Sequence, residues 1–157
     1  MQLRLYRLAG GLLAALTAFA GATVDFRHPR HAPLKLKCTY CHENAERAER
    51  AGLPAAERCM TCHSEVLKES EPIRVLASQA KDSKPYSPQR VNRIPDFVFF
   101  SHARHKKAAV DCAECHGPVY VEDARQAFLP ATMKTCVDCH KTRKASVSCT
   151  ICHELNQ

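Results

Sequence analysis

One five-residue pattern occurs five times in this 157-residue chain and uses all ten of its cysteines. The pattern is Cys-x-x-Cys-His, two cysteines three positions apart followed directly by a histidine. We number its occurrences sites 1 to 5: Cys38, Cys41 and His42; Cys59, Cys62 and His63; Cys112, Cys115 and His116; Cys136, Cys139 and His140; Cys149, Cys152 and His153. Two cysteines at this spacing form thioethers to the vinyl groups of one porphyrin, and the histidine ligates its iron. The repeat therefore predicts five covalently bound haem c groups.

Other uses of ten cysteines fit the pattern less well. A disulfide framework gives no reason for a histidine after every second cysteine. Zinc sites combine two cysteine pairs or a pair with distant histidines, and five identical units do not divide in that way. A thioredoxin-like redox pair requires a βαβ setting that the sequence lacks. Haem attachment remains the prediction.

The first 22 residues have the pattern of a signal peptide. Arg4 and Arg7 precede an apolar run over residues 8–22, which is shorter than the roughly 20 residues that span a bilayer. The run ends in Ala20-Gly21-Ala22, a small-residue cleavage pattern. The sequence thus predicts export to the periplasm, and an uncleaved anchor associated with the membrane is the alternative.

The size of the remaining chain constrains the fold. Removal of 22 of the 157 residues leaves 135, or 27 for each site, too few for a conventional core around each group. We therefore expect a mostly irregular chain with short α-helices, little or no sheet, and the haems themselves as the core. Within it, residues 43–51 have the composition of a charged helix, and a helix over residues 65–79 is expected to be interrupted or to start afresh near Pro72.

Net charge argues against a nucleic-acid partner. The formal charge is +7, and removal of Arg4 and Arg7 leaves about +5. Each ferric low-spin haem with two propionates contributes about −1, so the oxidised protein is expected to be near neutral. We interpret the lysines and arginines as counter-ions of propionates, since no nucleic-acid motif is present.

A second motif, Phe-x-His-x-x-His, occurs twice. It begins at Phe26 and at Phe100, and in each copy the second histidine lies seven positions before a site's first cysteine. The repeat predicts a dihaem module over residues 23–63, a linker strap over 64–96 and a trihaem module over 97–157. Histidines three positions apart face the same side of a helical turn, so each pair is suited to ligate two different irons. The two phenylalanines are expected to pack on porphyrin faces.

The inventory of iron ligands is one histidine short. The motif histidines supply one axial ligand for each of five irons, and His28, His31, His102 and His105 can supply four of the opposite ligands. Met133 is the methionine free to serve the fifth, since Met1 leaves with the signal and Met60 lies between two attachment cysteines. Two alternatives to this ligand role remain. Met133 could fill a gap in the core, or the sixth coordination position of the fifth iron could be vacant. A methionine ligand would raise the reduction potential of that haem.

The paired motifs, each followed by Cys-x-x-Cys-His sites, resemble the class III multihaem cytochromes c, including the small three-haem cytochrome c7 members. In that family the first histidine of the pair ligates the haem bound next, and the second ligates a later one. A ligand ahead of the penultimate site serves the last haem. The resemblance implies these pairs: His28 with His42, His31 with His63, His102 with His116, His105 with His140, and Met133 with His153. Methionine stands here where the three-haem members use histidine.

Residues 90–102, Arg-Val-Asn-Arg-Ile-Pro-Asp-Phe-Val-Phe-Phe-Ser-His, are similar to a narrower group, the pentahaem subunit of alternative complex III and related menaquinol-reductase cytochromes. The resemblance implies an electron carrier rather than an enzyme, transferring electrons between a membrane quinol-oxidising complex, or another redox protein, and a downstream acceptor. Membrane contact is expected only through such a partner or an uncleaved signal. The alternative is a multihaem reductase whose open haem acts on a small nitrogen or sulfur oxyanion.

Overall fold

Short helices separated by irregular segments make up a computed structural model of the chain, which describes residues 24–82, 86, 90–122 and 126–154. Residues 1–22, the expected signal peptide, lie outside these ranges. The described α-helices are α1 His28–His31, α2 Cys38–Cys41, α3 Ala56–His63, α4 Glu71–Lys81, α5 His102–Lys107, α6 Cys112–His116 and α7 Met133–Thr142. Two 3₁₀ turns, Ala32–Leu34 and Cys149–Ile151, complete the set, and these ranges contain no β-strand. The predicted fold class is therefore confirmed.

The helices coincide with the two sequence motifs. Sites 1 to 4 each place their cysteine pair on one helix (α2, α3, α6 or α7), and site 5 places it on and just after the second 3₁₀ turn. One turn of helix brings residues three apart onto the same side, as two bonds to one porphyrin require. Helices α1 and α5 carry the two histidine pairs.

Local capping sets where α6 begins and ends. The Asp111 side chain accepts a hydrogen bond from the Ala113 amide, and the Glu114 side chain accepts one from the Asp111 amide, which forms a capping box. Gly117 ends the helix with φ of 71°, a conformation that residues with a Cβ adopt only at a cost.

The buried core of the described part is very small. Its members are Ala56, Ile73, Leu76 and Tyr86, where α4 packs against α3, and no polar side chain is buried. The Tyr86 hydroxyl donates to the Val24 carbonyl at 3.1 Å. Helix α4 lies within the stretch expected to be a linker strap, and it does begin afresh at the proline, with Pro72 in its first turn.

The expected helix over residues 43–51 is wrong, because this segment consists of turns and bends. Two of its carbonyls accept hydrogen bonds from the other half of the chain. Glu49 O accepts from the amide and from Nδ1 of His102, and Ala48 O accepts from the Ala103 amide. Contacts across 50 residues of sequence therefore override the local preference.

No helix among the described ranges combines the length and the apolar character needed to cross a bilayer.

Candidate haem-binding sites

Each copy of Phe-x-His-x-x-His folds in the same way. The Phe26 ring stacks on His31 at 4.8 Å and meets His28 edge-on at 5.0 Å between ring centres. The Phe100 ring stacks on His105 at 4.6 Å and meets His102 edge-on at 4.8 Å. The phenylalanines thus contact the histidines of their own motif and hold the two imidazoles in a fixed relation.

The structure brings these four histidines opposite four motif histidines. The distances between ring centres are 6.3 Å for His28 and His42, 6.2 Å for His31 and His63, 6.4 Å for His102 and His116, and 6.1 Å for His105 and His140. These are the same four pairs that the family resemblance implies.

The spacing is that of two imidazoles on opposite sides of one metal ion. An imidazole nitrogen lies about 2.0 Å from a first-row metal ion, and the ring centre lies roughly 1.2 Å farther out, so two such rings are about 6 to 6.5 Å apart. Imidazoles in direct contact would lie closer together. Each of the four gaps therefore fits an iron with two axial histidines.

The second nitrogen of most of these imidazoles is already engaged. A backbone carbonyl lies within hydrogen-bonding distance of Nδ1 in seven histidines: His31, His42, His63, His102, His105, His140 and His153. A carbonyl only accepts, so Nδ1 carries the proton and Nε2 keeps its lone pair. That tautomer is the one a metal-ligating histidine needs.

His116 is arranged differently. Its Nδ1 lies 3.3 Å from Nδ2 of Asn92, a side-chain amide rather than a backbone carbonyl. Burial lowers the pKa of His116, and the neighbouring His102 and His42 lower it further. Both effects favour the uncharged form of the His116 ring.

Site 5 lacks an opposing histidine. The His153 ring lies 6.0 Å from the Phe97 ring, and its Nδ1 lies 3.4 Å from the Phe97 carbonyl oxygen. Met133 is the first residue of α7 and is 68 % exposed. It lies one turn before Cys136 on the same helix face. A methionine ligand at site 5 therefore stays a prediction.

The surroundings of the cysteines indicate which sites are neighbours. In four cysteines burial is the largest cause of a raised pKa, and the next is a cysteine of another site. These pairs are Cys59 with Cys41, Cys38 with Cys112, Cys115 with Cys139, and Cys136 with Cys152. These four links connect the sites in the order 2, 1, 3, 4, 5. We call this order of linked neighbours the line, and it differs from the order in sequence only at its start.

Hydrogen bonds support the first three steps of this line. They are Tyr40 OH with Thr61 Oγ1 at 3.3 Å between sites 1 and 2, Tyr120 OH to Leu36 O at 2.9 Å between sites 3 and 1, and Arg143 to Glu114 between sites 4 and 3. Sequence reasoning missed Tyr120, Asn92 and Phe97, since each acts on a site more than 20 residues away and no local pattern marks it.

The residues fit haem in two further ways. The described ranges contain no group of three or more histidine, cysteine or acidic side chains that could hold a bare metal ion. Their imidazoles instead stand in four opposed pairs. Large apolar side chains such as Phe26, Leu34 and Tyr40 are exposed around sites 1 and 2. Apolar surface beside thiols and paired imidazoles is what a porphyrin would cover.

Comparisons with known proteins agree with this chemistry. A family model described as the class III cytochrome C family matches residues 14–85, and one described as cytochrome c7 and related cytochrome c matches residues 98–154. The multiheme cytochrome c subunit of a menaquinone reductase from Nitratidesulfovibrio vulgaris Hildenborough is 29 % identical over 161 residues, covering 83 % of this chain and 76 % of that protein. A high-molecular-weight cytochrome c from the same organism is 22 % identical over 165 residues, covering 74 % of this chain and 30 % of that protein. These matches confirm the family resemblance inferred from the motifs.

Proposed function

We propose that the chain, which matches the class III and cytochrome c7 family models over residues 14–85 and 98–154, is a periplasmic pentahaem electron carrier. The observation that carries this proposal is the set of four opposed histidine pairs, 6.1 to 6.4 Å apart. Bound haem would supply the iron that cycles between its ferric and ferrous states. The protein residues would attach, ligate, space and tune it.

The proposed roles follow the geometry. The ten cysteines of the five motifs form the thioethers, and the motif histidines supply one axial ligand each. His28, His31, His102 and His105 supply the second ligand at sites 1, 2, 3 and 4. Carbonyls that accept from Nδ1 orient the rings and keep Nε2 available. Met133 is proposed as the second ligand at site 5.

The partner we propose is a membrane quinol-oxidising complex. Support comes from the relative that is named as a menaquinone reductase subunit and aligns with 83 % of this chain. Further support comes from the links between neighbouring sites, which connect all five and would let electrons pass from one site to the next. The signal pattern in residues 1–22 supports a location outside the cytoplasm.

A reductase is the second candidate, and a feature of site 5 favours it. His153 faces Phe97 at 6.0 Å and no histidine opposes it in the described residues. An iron with an open position could bind a small nitrogen or sulfur oxyanion.

Near-infrared magnetic circular dichroism of the oxidised holoprotein, with haem counted per chain, separates the two candidates. A carrier is expected to have five low-spin haems, four with two histidines and one with histidine and methionine, and its reduced form is expected not to bind carbon monoxide. One high-spin haem that binds carbon monoxide and an oxyanion would instead support the reductase. Fewer than five haems would contradict the pentahaem proposal.

The partner is tested separately in solubilised membranes. A chain with an affinity tag at its C-terminus is expected to co-purify with a quinol-oxidising complex and to be reduced when a menaquinol analogue is added. A quinol-site inhibitor is the control and should abolish the reduction. Recovery of the chain alone, with no quinol-dependent reduction, would contradict this partner.

A further inference from the structure

The segment just before the second histidine pair contacts two sites that are not neighbours in the line. Asn92 lies at His116 of site 3, and Phe97 lies at His153 of site 5. The Phe99 amide donates to the Cys152 carbonyl at 2.9 Å. The segment thus lies against the motif-histidine side of both sites.

The hydrogen-bond partner of Nδ1 in His116 belongs to a side chain, that of Asn92. Seven other histidines place Nδ1 against a backbone carbonyl, a partner that side-chain substitution leaves in place. Asn92 can be changed without altering the backbone. At site 3, therefore, the hydrogen-bond partner of the motif histidine depends directly on which residue occupies position 92.

The chemistry of the pair fixes its orientation. When Nε2 of His116 ligates iron, Nδ1 carries the ring proton and must donate it. The Asn92 amide then presents Oδ1, which a half-turn of the amide group places where Nδ2 stands in the structure. The oxygen and nitrogen of an amide differ little in shape, so the exchange needs no repacking.

We propose that Asn92 is a positioning residue that sets the reduction potential of the haem held by His116, by accepting the hydrogen bond from Nδ1. The inference rests on the proposed function, because it requires haem at site 3. A stronger acceptor makes the imidazole a better electron donor to iron and stabilises the ferric state, whereas loss of the acceptor favours the ferrous state.

The position of site 3 gives this contact its importance. It is the middle of the five sites in the line 2, 1, 3, 4, 5, between the dihaem and trihaem modules. The His102 ring lies opposite the His116 ring at 6.4 Å between ring centres, so the contact of Asn92 would act directly on a ligand of that haem. Asn92 would thus tune the haem through which the two modules communicate.

Two variants of Asn92 test the proposal. Asn92→Asp keeps an acceptor at this place and strengthens it, so one midpoint potential is expected to fall. Asn92→Leu keeps the approximate volume and removes the acceptor, so the same potential is expected to rise. Each change is expected to alter the ratio of reduced to oxidised haem about tenfold, which is about 59 mV for a one-electron couple.

Arg93→Ala is the matched control. It changes the net charge by the same amount as Asn92→Asp at the adjacent position, so it is expected to give at most a small shift shared among the haems. The affected haem is identified with His102→Ala, which should remove the site 3 signal from the low-spin electron paramagnetic resonance spectrum. Potentiometric titration of each variant gives the midpoint potentials.

The outcomes separate this inference from the proposed function. Opposite shifts of one potential in the two Asn92 variants would support it, whereas unchanged potentials or shifts in the same direction would overturn it. Absence of a low-spin haem with two histidines at site 3 in the wild-type protein would overturn both proposals. Five haems with unaltered potentials in the variants would overturn only the role of Asn92.

Discussion

At the scale of single residues, the ability of the paired histidines to bind iron depends on which nitrogen of each imidazole is free. Carbonyls such as Gly52 O, 2.9 Å from His42 Nδ1, engage one ring nitrogen and leave Nε2 available, and the His42 ring centre lies 6.3 Å from that of its opposed histidine, His28. The carbonyl acts on ring orientation and on tautomer together. Four sites share this arrangement of two opposed histidines. Site 5 differs because no histidine opposes His153 in the described residues, and Met133 is the second ligand that we propose there.

Met133→Ala is expected to convert one haem in five from low spin to high spin, because the thioether that we assign to the fifth iron is removed. Met133→His should restore a low-spin haem with two histidines and a lower potential, since histidine stabilises ferric iron more than methionine does. Near-infrared magnetic circular dichroism and potentiometry measure the two effects.

Met60→Ala is the control for the Met133→Ala variant. Met60 lies on α3 and packs against the buried cluster, so it is not expected to ligate iron. The spectrum of this control variant should match that of the wild-type protein. If Met133→Ala also has a wild-type spectrum, Met133 is not a ligand and site 5 must be served in another way.

At the scale of an element, α6 shows how a single turn of helix is kept in place. The helix has five residues, too few to be stable alone. Its start is fixed by the capping box of Asp111 and Glu114, and Arg143, the residue just after α7, donates to the same Glu114 carboxylate. Its end is fixed by Gly117. Site 3 therefore depends on capping and on one contact with α7.

The capping contact predicts a dependence on pH. The hydrogen bond from the Asp111 amide lowers the pKa of Glu114 below its ordinary value of 4.5, and Arg143 lowers it further. A lowered pKa means that the carboxylate stabilises the folded state above about pH 4.5, and that this contribution is lost as the pH falls through the folded-state pKa. Glu114→Gln should therefore be less stable than wild type at pH 7, and the difference should shrink in acid.

Guanidinium unfolding of the holoprotein at several pH values measures this difference. Glu69→Gln is the control, since Glu69 is an exposed carboxylate paired with Arg74 away from the motifs, and exposed pairs contribute little. A constant difference between Glu114→Gln and wild type from pH 7 into acid would rule out the proposed linkage.

Gly117→Ala is expected to destabilise the protein more than Gly52→Ala. Both glycines have positive φ, so both changes cost about 1–2 kcal/mol in backbone conformation. At Gly117 the added Cβ would also lie 2.6 Å from the Phe128 ring, whereas at Gly52 the nearest atom, Asn44 Nδ2, is 3.5 Å away. Overpacking should add about 1–3 kcal/mol at Gly117 alone. Denaturant unfolding measures the difference, and equal losses would show that Phe128 moves aside freely.

At the scale of the whole molecule, links between neighbouring sites connect all five across the two halves of the chain. Contacts such as those of Tyr120 with Leu36 and of His102 with Glu49 bring site 1 next to site 3. Little of the chain packs on itself, since the buried cluster of the described part has four members. Most of the stabilising apolar contact must come from the groups that the sites bind.

The chain produced without haem attachment is therefore expected to be largely unfolded. Four buried residues offset only a small part of the conformational entropy of folding. Circular dichroism and amide hydrogen exchange of the haem-free and haem-loaded chains test this, with the haem-loaded protein expected to show cooperative unfolding and strong protection. A cooperative transition in the haem-free chain would contradict the view that haem forms the core.

The sequence alone predicted which residues attach and ligate haem. Attachment cysteines, the adjacent histidine and the paired histidines are defined by spacings of three or four residues, and such local patterns can be read directly from the chain. Pro72 likewise predicted the start of α4. The pairing of ligands came from family resemblance, and the structure brings the same histidines together.

Only the tertiary structure decided how these parts meet. The order 2, 1, 3, 4, 5, the turns over residues 43–51 and the contact of Asn92 with His116 all depend on residues 16 to 84 positions apart. Local sequence carries no record of such partners, because the free energy that favours them arises when both segments are already in place. For this reason a charged stretch with helical composition became a set of turns, with its Glu49 carbonyl bound to His102 of the other module.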